Sequence, residues 1–272
     1  MISFGYKATG SRILWHFYSN SDYLIAGKFL GKTSLGYYSL AFQLASLPNE
    51  KLISLIGQII FPLFSKVQDE EKILRNYFLK TVRLTAFIVF PIFTGMYLVA
   101  ELAIVLLLSK KWIPMILPFK ILCLIAALRA INAFNSRLVY ATGHPGIALS
   151  NTAICTLIMP LGFLIGSKYG LEGLSYAWLF LFPIVFLIAT KRSISVINLN
   201  LLEYFKNLIS PIIATSFMAL LVELSKILLI NSSNEIFQLI FYCFIGMLSY
   251  IGFIIIFFKD FLLDVKIFIT AN

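Results

Sequence analysis

Residues 119–143 read FKILCLIAALRAINAFNSRLVYATG. The stretch is long enough to cross a bilayer, which takes about 20 mostly apolar residues in a helix. It also carries Arg129, Asn132, Asn135, Ser136 and Arg137, groups that a lipid-facing helix excludes. Arg129, Asn132 and Ser136 fall at i, i+3 and i+7, so they share one face, with Asn135 and Arg137 flanking it. An apolar helix with a single polar face belongs inside a bundle of membrane helices, where that face meets protein or a water-filled cavity.

The rest of the chain has the same character. Of its 272 residues, 60% are hydrophobic and only 12% are charged, and mean hydropathy is +0.92. A soluble domain usually carries about 25% charge. The apolar residues come in long blocks, without the alternation over about 10 residues that marks a transmembrane β-barrel strand. These features predict an all-α, polytopic transmembrane helical bundle of about eight spans. The expected spans are 10–30, 36–64, 82–107, 114–138, 146–167, 172–190, 208–230 and 235–258. Pro48, Pro91, Pro160 and Pro183 fall inside them, which membrane helices tolerate where neighbours satisfy the freed carbonyls.

The formal charge of +10 is spread over short loops and not gathered into a basic, aromatic-rich patch, so no nucleic-acid partner is expected. With the N-terminus in the cytoplasm, Lys7, Lys66, Lys72, Arg75, Lys80, Arg83, Lys191, Arg192, Lys206, Lys259 and Lys266 lie inside. Only Lys28, Lys32, Lys110, Lys111, Lys168 and Lys226 then lie outside, so both termini are expected to be cytoplasmic. Within the polar connection at 65–83, Leu74, Tyr77, Phe78, Thr81 and Leu84 recur at helical spacing. This predicts an amphipathic helix on the inner leaflet that runs into the third span. Trp112, beside Lys110 and Lys111, is expected to anchor the outer interface.

Three isolated cysteines, two isolated histidines and the lack of nucleophile, phosphate-loop or zinc motifs point away from an enzyme, a cofactor and a metal. The chemistry of interest is instead polar groups at membrane depth. Besides Arg129 and Arg137 these are Ser19, Asn20 and Asp22 in the first span, and Glu50 with Lys51 after Pro48 in the second. Adjacent helical residues point about 100° apart, so Glu50 and Lys51 cannot share a face. Asp22 is a candidate partner for Lys51. Interhelical bonding is the alternative role for the amides, and reaching for the headgroups is the alternative for Arg137.

Several motifs then follow in order. They are the D-x-x-x-x-G-K-F-L-G run from Asp22 to Gly31, L-G-Y-Y-S-L-A from Leu35 to Ala41, and F-P-L-F-S from Phe61 to Ser65. K-W at Lys111 and Trp112 and A-T-G-H-P-G before the fifth span complete the set. Together they resemble the polysaccharide exporters and lipopolysaccharide flippases of the multidrug/oligosaccharidyl-lipid/polysaccharide superfamily, in the Wzx-C-like branch. The resemblance implies two six-helix lobes around a central cavity, often followed by two further helices. On that pattern residues 1–190 are a second lobe, and 191–272 are the extra pair with a cytoplasmic tail. The first lobe is expected to be encoded separately or replaced by a second copy of the chain.

The resemblance further implies a bacterial inner-membrane protein that flips polyprenyl-diphosphate-linked oligosaccharide by alternating access. Arg129 is the leading candidate for the diphosphate, followed by Lys51 and Arg137. Asn132, Asn135 and Ser136 would serve diphosphate or sugar. Ser19, Asn20, Asp22 and Glu50 would supply cavity polarity or ion coupling. Two alternatives are a cation-coupled multidrug efflux protein that uses Asp22 and a non-transporting gene remnant.

Overall fold

A computed structural model describes residues 2–228 and 234–258. Within them the chain forms eight long helices: α1 (Ile2–Ile25), α2 (Gly31–Lys66), α3 (Glu71–Leu108), α4 (Ile116–Ala141), α5 (Pro145–Ser167), α6 (Gly170–Ile194), α7 (Leu201–Leu228) and α8 (Glu235–Phe257). The all-α bundle is as expected, and all four predicted intra-helical prolines lie within helices. Six helical segments among the described residues are long and apolar enough to cross a membrane, beginning with α3. The expected count of eight spans is therefore not reproduced, because α1 and α2 carry too much polar sequence. Lys7, Arg12 and Asp22 interrupt the first, and Asn49, Glu50 and Lys51 the second. The tail expected to be cytoplasmic, with Lys259 and Lys266, lies outside the described residues, as does most of the loop before α8.

Packing follows a simple order. α1 lies on α5, α5 on α6, α6 on α4, and α4 on both α2 and α3, whereas α1 scarcely meets α2. One continuous core draws on α1 to α6 and on the start of α7. α7 and α8 dock on the outside of α3, where Phe87, Ala214, Met218, Tyr250 and Ile254 form a separate small cluster. The Tyr250 hydroxyl donates to the Phe87 carbonyl at 2.6 Å and fastens α8 there.

The A-G-K-F-L segment at Ala26–Leu30 forms a π-helical turn, and Gly31 follows it with φ +82°. That conformation favours glycine, so the motif glycine marks where α1 hands over to α2. The backbones of α5 and α6 come close together at Gly166 and Gly173. A Cβ on either would strike the other's carbonyl, as expected where small residues let membrane helices touch.

The connection at 65–83 departs from expectation. α3 begins at Glu71 and continues unbroken for 38 residues, about 57 Å at 1.5 Å per residue. Its first turns do not present their apolar face to a leaflet. Leu74 and Phe78 are fully buried, and Phe78 packs on Phe64 and Tyr204. Arg75 pairs with Glu203, and Asn198 donates to Glu71, tying this segment to the start of α7. Trp112 packs edge-on against Tyr37 at 5.6 Å.

Candidate functional site: a polar cleft around Arg129

Because α1 leans on α5 and leaves α2, a cavity of about 320 Å³ opens between them. α1 contributes Trp15 and Tyr18, and α2 contributes Asn49, Glu50 and Ile53. α4 supplies Arg129, Asn132, Asn135 and Ser136 in one line. Asn151, Thr152 and Cys155 of α5 and Phe182 and Ala189 of α6 complete the wall. The i, i+3, i+7 face read from the sequence is therefore the face that lines the cleft, and Glu50 joins it from across the gap.

Arg129 is half-buried. Its guanidinium lies 4.8 Å from the ring centroid of Phe42 and 5.3 Å from that of Trp178. The two rings hold the cation by their faces, so its N–H groups need no protein carboxylate, and no ion pair to Arg129 occurs among the described residues. A cation kept at the cleft wall without an anionic partner is available to an anion. Trp178 is itself fixed, because its Nε1 donates to the Tyr38 hydroxyl at 2.8 Å, and that hydroxyl donates to Asp22 Oδ2 at 2.8 Å. Phe163 and Phe182 pack against its ring.

Asp22 consequently has a different setting from the one expected. It is 0% exposed and sits in the interior, where it also accepts from the Tyr23 amide at 2.9 Å. It does not line the cleft, and it cannot pair with Lys51. Tyr38 occupies its carboxylate, and Lys51 lies 13 residues further along α2, about 20 Å away. Lys51 is exposed and outside the cleft. Ser19 and Asn20 are half-buried and spend their side chains on the His16 carbonyl, again away from the cleft wall. These two cap the local helix backbone, a short-range option that small polar side chains always have.

Arg137 also lies apart, in a shallow hollow with Ser54, Gly57 and Gln58. Its guanidinium donates to the Ile53 carbonyl at 3.1 Å and the Ala133 carbonyl at 3.2 Å. It lies so close over Gly57 that a Cβ there would collide with it. Arg137 is thus a clamp between α2 and α4. Asn135 is buried, and its Nδ2 donates to Asn132 and to Thr190 of α6.

The sequence reading missed Asn49, Asn151 and Thr152. A usable signal was present in Ser150-Asn151-Thr152, a polar run inside an apolar span like the one at Ser19–Asp22. It also missed Tyr38 and Trp178, whose polar atoms are satisfied inside the core and leave no mark on the hydropathy pattern.

Comparison with known proteins agrees with this architecture. Residues 1–117 match the sequence model of the family described as "Polysaccharide biosynthesis protein". The teichuronic acid biosynthesis protein TuaB of Bacillus subtilis is 28% identical over 221 residues, covering 80% of this chain and 46% of that protein. The lipopolysaccharide biosynthesis protein WzxC of Escherichia coli is 26% identical over 217 residues, covering 79% of this chain and 41% of that one. The chain thus spans less than half the length of these two relatives. The lipid II flippase MurJ in its inward closed conformation shares the fold, with a TM-score of 0.73 at 18% identity, over 93% of this chain and 53% of that one. This chain is accordingly a multi-pass membrane protein that resembles the polysaccharide exporters and lipopolysaccharide flippases, as its motifs from Asp22 to Ser65 imply.

Proposed function

We propose that the chain is part of a bacterial inner-membrane flippase, which moves lipid-linked oligosaccharide or polysaccharide repeat units outward for lipopolysaccharide, capsule or exopolysaccharide synthesis. In this reading residues 1–190, α1 to α5 with most of α6, are one six-helix lobe, and residues 191–272 add a peripheral pair. Both termini are cytoplasmic. α1 and α2 also cross the membrane, with Asp22 turned to the interior and Asn49 and Glu50 to the cleft. A first lobe completes the transport path, whether joined to this chain, encoded separately or replaced by a second copy.

The observation that carries the reading is Arg129. An arginine without an ion-paired carboxylate stands at the wall of a polar cleft, inside a bundle with six helices apolar enough to cross a membrane. A diphosphate needs such a cation, and a planar guanidinium matches phosphate oxygens with paired donors. Glu50, Asn132, Asn135 and Ser136 give the same cleft hydrogen-bonding capacity for sugars. Cation-coupled drug efflux through Asp22 is less well supported, since that carboxylate is sealed and already bonded twice. Lys51 and Arg137, off the cleft, are assigned no substrate role.

Complementation tests the proposal. In a bacterium lacking its own exporter, surface polysaccharide should return when the chain is expressed with a matching first lobe, and Arg129→Ala should abolish the rescue. Normal rescue by Arg129→Ala would overturn the role of the cleft. No rescue by a well-inserted chain with any first lobe would favour a remnant without transport.

A further inference from the structure

Of the three tryptophans in the chain, two are held by neighbouring rings. Trp178 is 1% exposed in the core, and Trp112 packs on Tyr37. Trp15 differs. It is 56% exposed, yet it lines the polar cleft from α1, and no ring contact or hydrogen bond to it occurs among the described residues. The helix that carries it is nevertheless fixed on both sides of this position. Ser11 bonds to Thr152 at 3.0 Å, and Thr156 donates to the Leu14 carbonyl at 3.2 Å. A large open indole is thus presented from a pinned stretch of backbone.

Its place relative to Arg129 follows from Tyr18, one turn further along α1. Tyr18 packs on Trp178 with ring centroids 6.0 Å apart, and Trp178 carries the guanidinium of Arg129. Trp15 therefore stands about 4.5 Å along the helix axis from the level of that contact. α1 runs against α2, since Asp22 meets Tyr38 while Tyr18 and Phe42 share Trp178. α2 runs alongside α4, with Tyr37 beside Trp112 and Ile53 beside Arg137. Trp15 is accordingly displaced from Arg129 in the same direction as Asn132 and Ser136, into the part of the cleft next to the cation.

The polar groups of that part are open to the cleft. Glu50 and Ser136 are exposed, and Asn132 is half-buried. Asn132 Oδ1 accepts from Asn135 at 3.0 Å, which leaves its Nδ2 as a donor, while Glu50 only accepts and Ser136 can do both. The face of an aromatic ring carries partial negative charge and attracts weakly positive C–H groups. An open indole opposite accessible donors and acceptors therefore fits a molecule with an apolar C–H face and a rim of hydroxyls.

We propose that Trp15 is the stacking platform for a neutral pyranose, the sugar adjoining the anion at Arg129, with Glu50, Asn132 and Ser136 bonding its hydroxyls. The Glu50 carboxylate disfavours an acidic sugar at this position. The proposal rests on the flippase reading and adds to it a residue that sets preference for the first sugar.

The test uses the full chain in lipid nanodiscs with three probes: farnesyl diphosphate, and the same lipid bearing one glucose or one glucuronic acid. Wild type should bind the glucose probe about tenfold more tightly than the bare diphosphate, the scale of one good aromatic contact, and the glucuronic acid probe no better than the bare one. Trp15→Leu should remove most of this preference and Trp15→Phe only part of it, while affinity for the bare diphosphate stays unchanged. Equal affinity of wild type for the bare and glucose probes would overturn the proposal without any variant needing to fold. A preference that survives Trp15→Leu would assign the indole to lipid or to another lobe and overturn it too, as would equal loss of all three probes in that variant. Equal binding of glucose and glucuronic acid would overturn the preference for a neutral ring. If the bare diphosphate does not bind, or binds equally well to Arg129→Ala, the flippase reading itself fails and the proposal falls with it.

Discussion

Trp178 and Asp22 lie on different helices and are joined through one hydroxyl: Tyr38 accepts from the Trp178 indole and donates to the Asp22 carboxylate, each at 2.8 Å. The other side of this lock is functional, because Arg129 rests on the same indole ring. A buried carboxylate in the first helix thereby helps set the position of a cation at the cleft wall, although it never reaches the cleft. The aspartate of α1 therefore organises the core.

Tyr38→Phe should show this. Removing the hydroxyl leaves a buried carboxylate oxygen and a buried indole N–H unpartnered, at about 1–3 kcal/mol for each group. The thermal midpoint in detergent should fall clearly. Asp22→Asn, which keeps an acceptor for Tyr38, should cost less than Asp22→Leu. A Tyr38→Phe protein as stable as wild type would remove the lock from the account.

Gly57 and Arg137 make a prediction that changes sign with background. A Cβ at 57 pushes away the guanidinium and breaks its bond to the Ile53 carbonyl, so Gly57→Ala should destabilise by about 1 kcal/mol or more. In an Arg137→Ala protein the same change should be neutral or stabilising, because alanine is the better helix former by about 1 kcal/mol. The four midpoints of this cycle decide it. Additive effects would mean that the two residues do not interact.

Water should reach the cleft and not the outer helix faces. In a cysteine-free background, Ser136→Cys, at an exposed position of the cleft, should react with a hydrophilic maleimide in native membranes. Leu161→Cys, exposed on the apolar outer face of α5, should not. Reversed reactivity would place the bundle the other way out.

Much of this was readable from sequence because membrane helices announce themselves by length, and polar residues at depth announce a protected face. The Arg129–Asn132–Ser136 line needed only helical spacing, and it lines the cleft. Asp22, Ser19 and Asn20 were equally visible, but their partners were not. A single polar residue in an apolar helix looks the same whether it faces an open cleft, as Ser136 does, or a tyrosine hydroxyl in the core, as Asp22 does. The amphipathic start of α3 is similarly ambiguous. Its stripe specifies burial, and only the placement of Phe64 and Tyr204 shows that protein, not lipid, covers it. The small-residue contact of Gly166 with Gly173 depends on which helices are neighbours, which no local pattern supplies.

The central claim is that lipid-linked sugar enters the Arg129 cleft, and site-specific photocrosslinking tests it most directly. A photoreactive residue at Asn132, on the cleft wall, would be irradiated in cells making lipid-linked oligosaccharide, with a matching first lobe present. The adducts would be read by mass spectrometry. The account predicts a sugar-diphosphate-lipid adduct at Asn132 that is lost in an Arg129→Ala background, and none at the outer-face position Leu161. Adducts at Leu161 with none at Asn132, or an Asn132 adduct indifferent to Arg129, would contradict it.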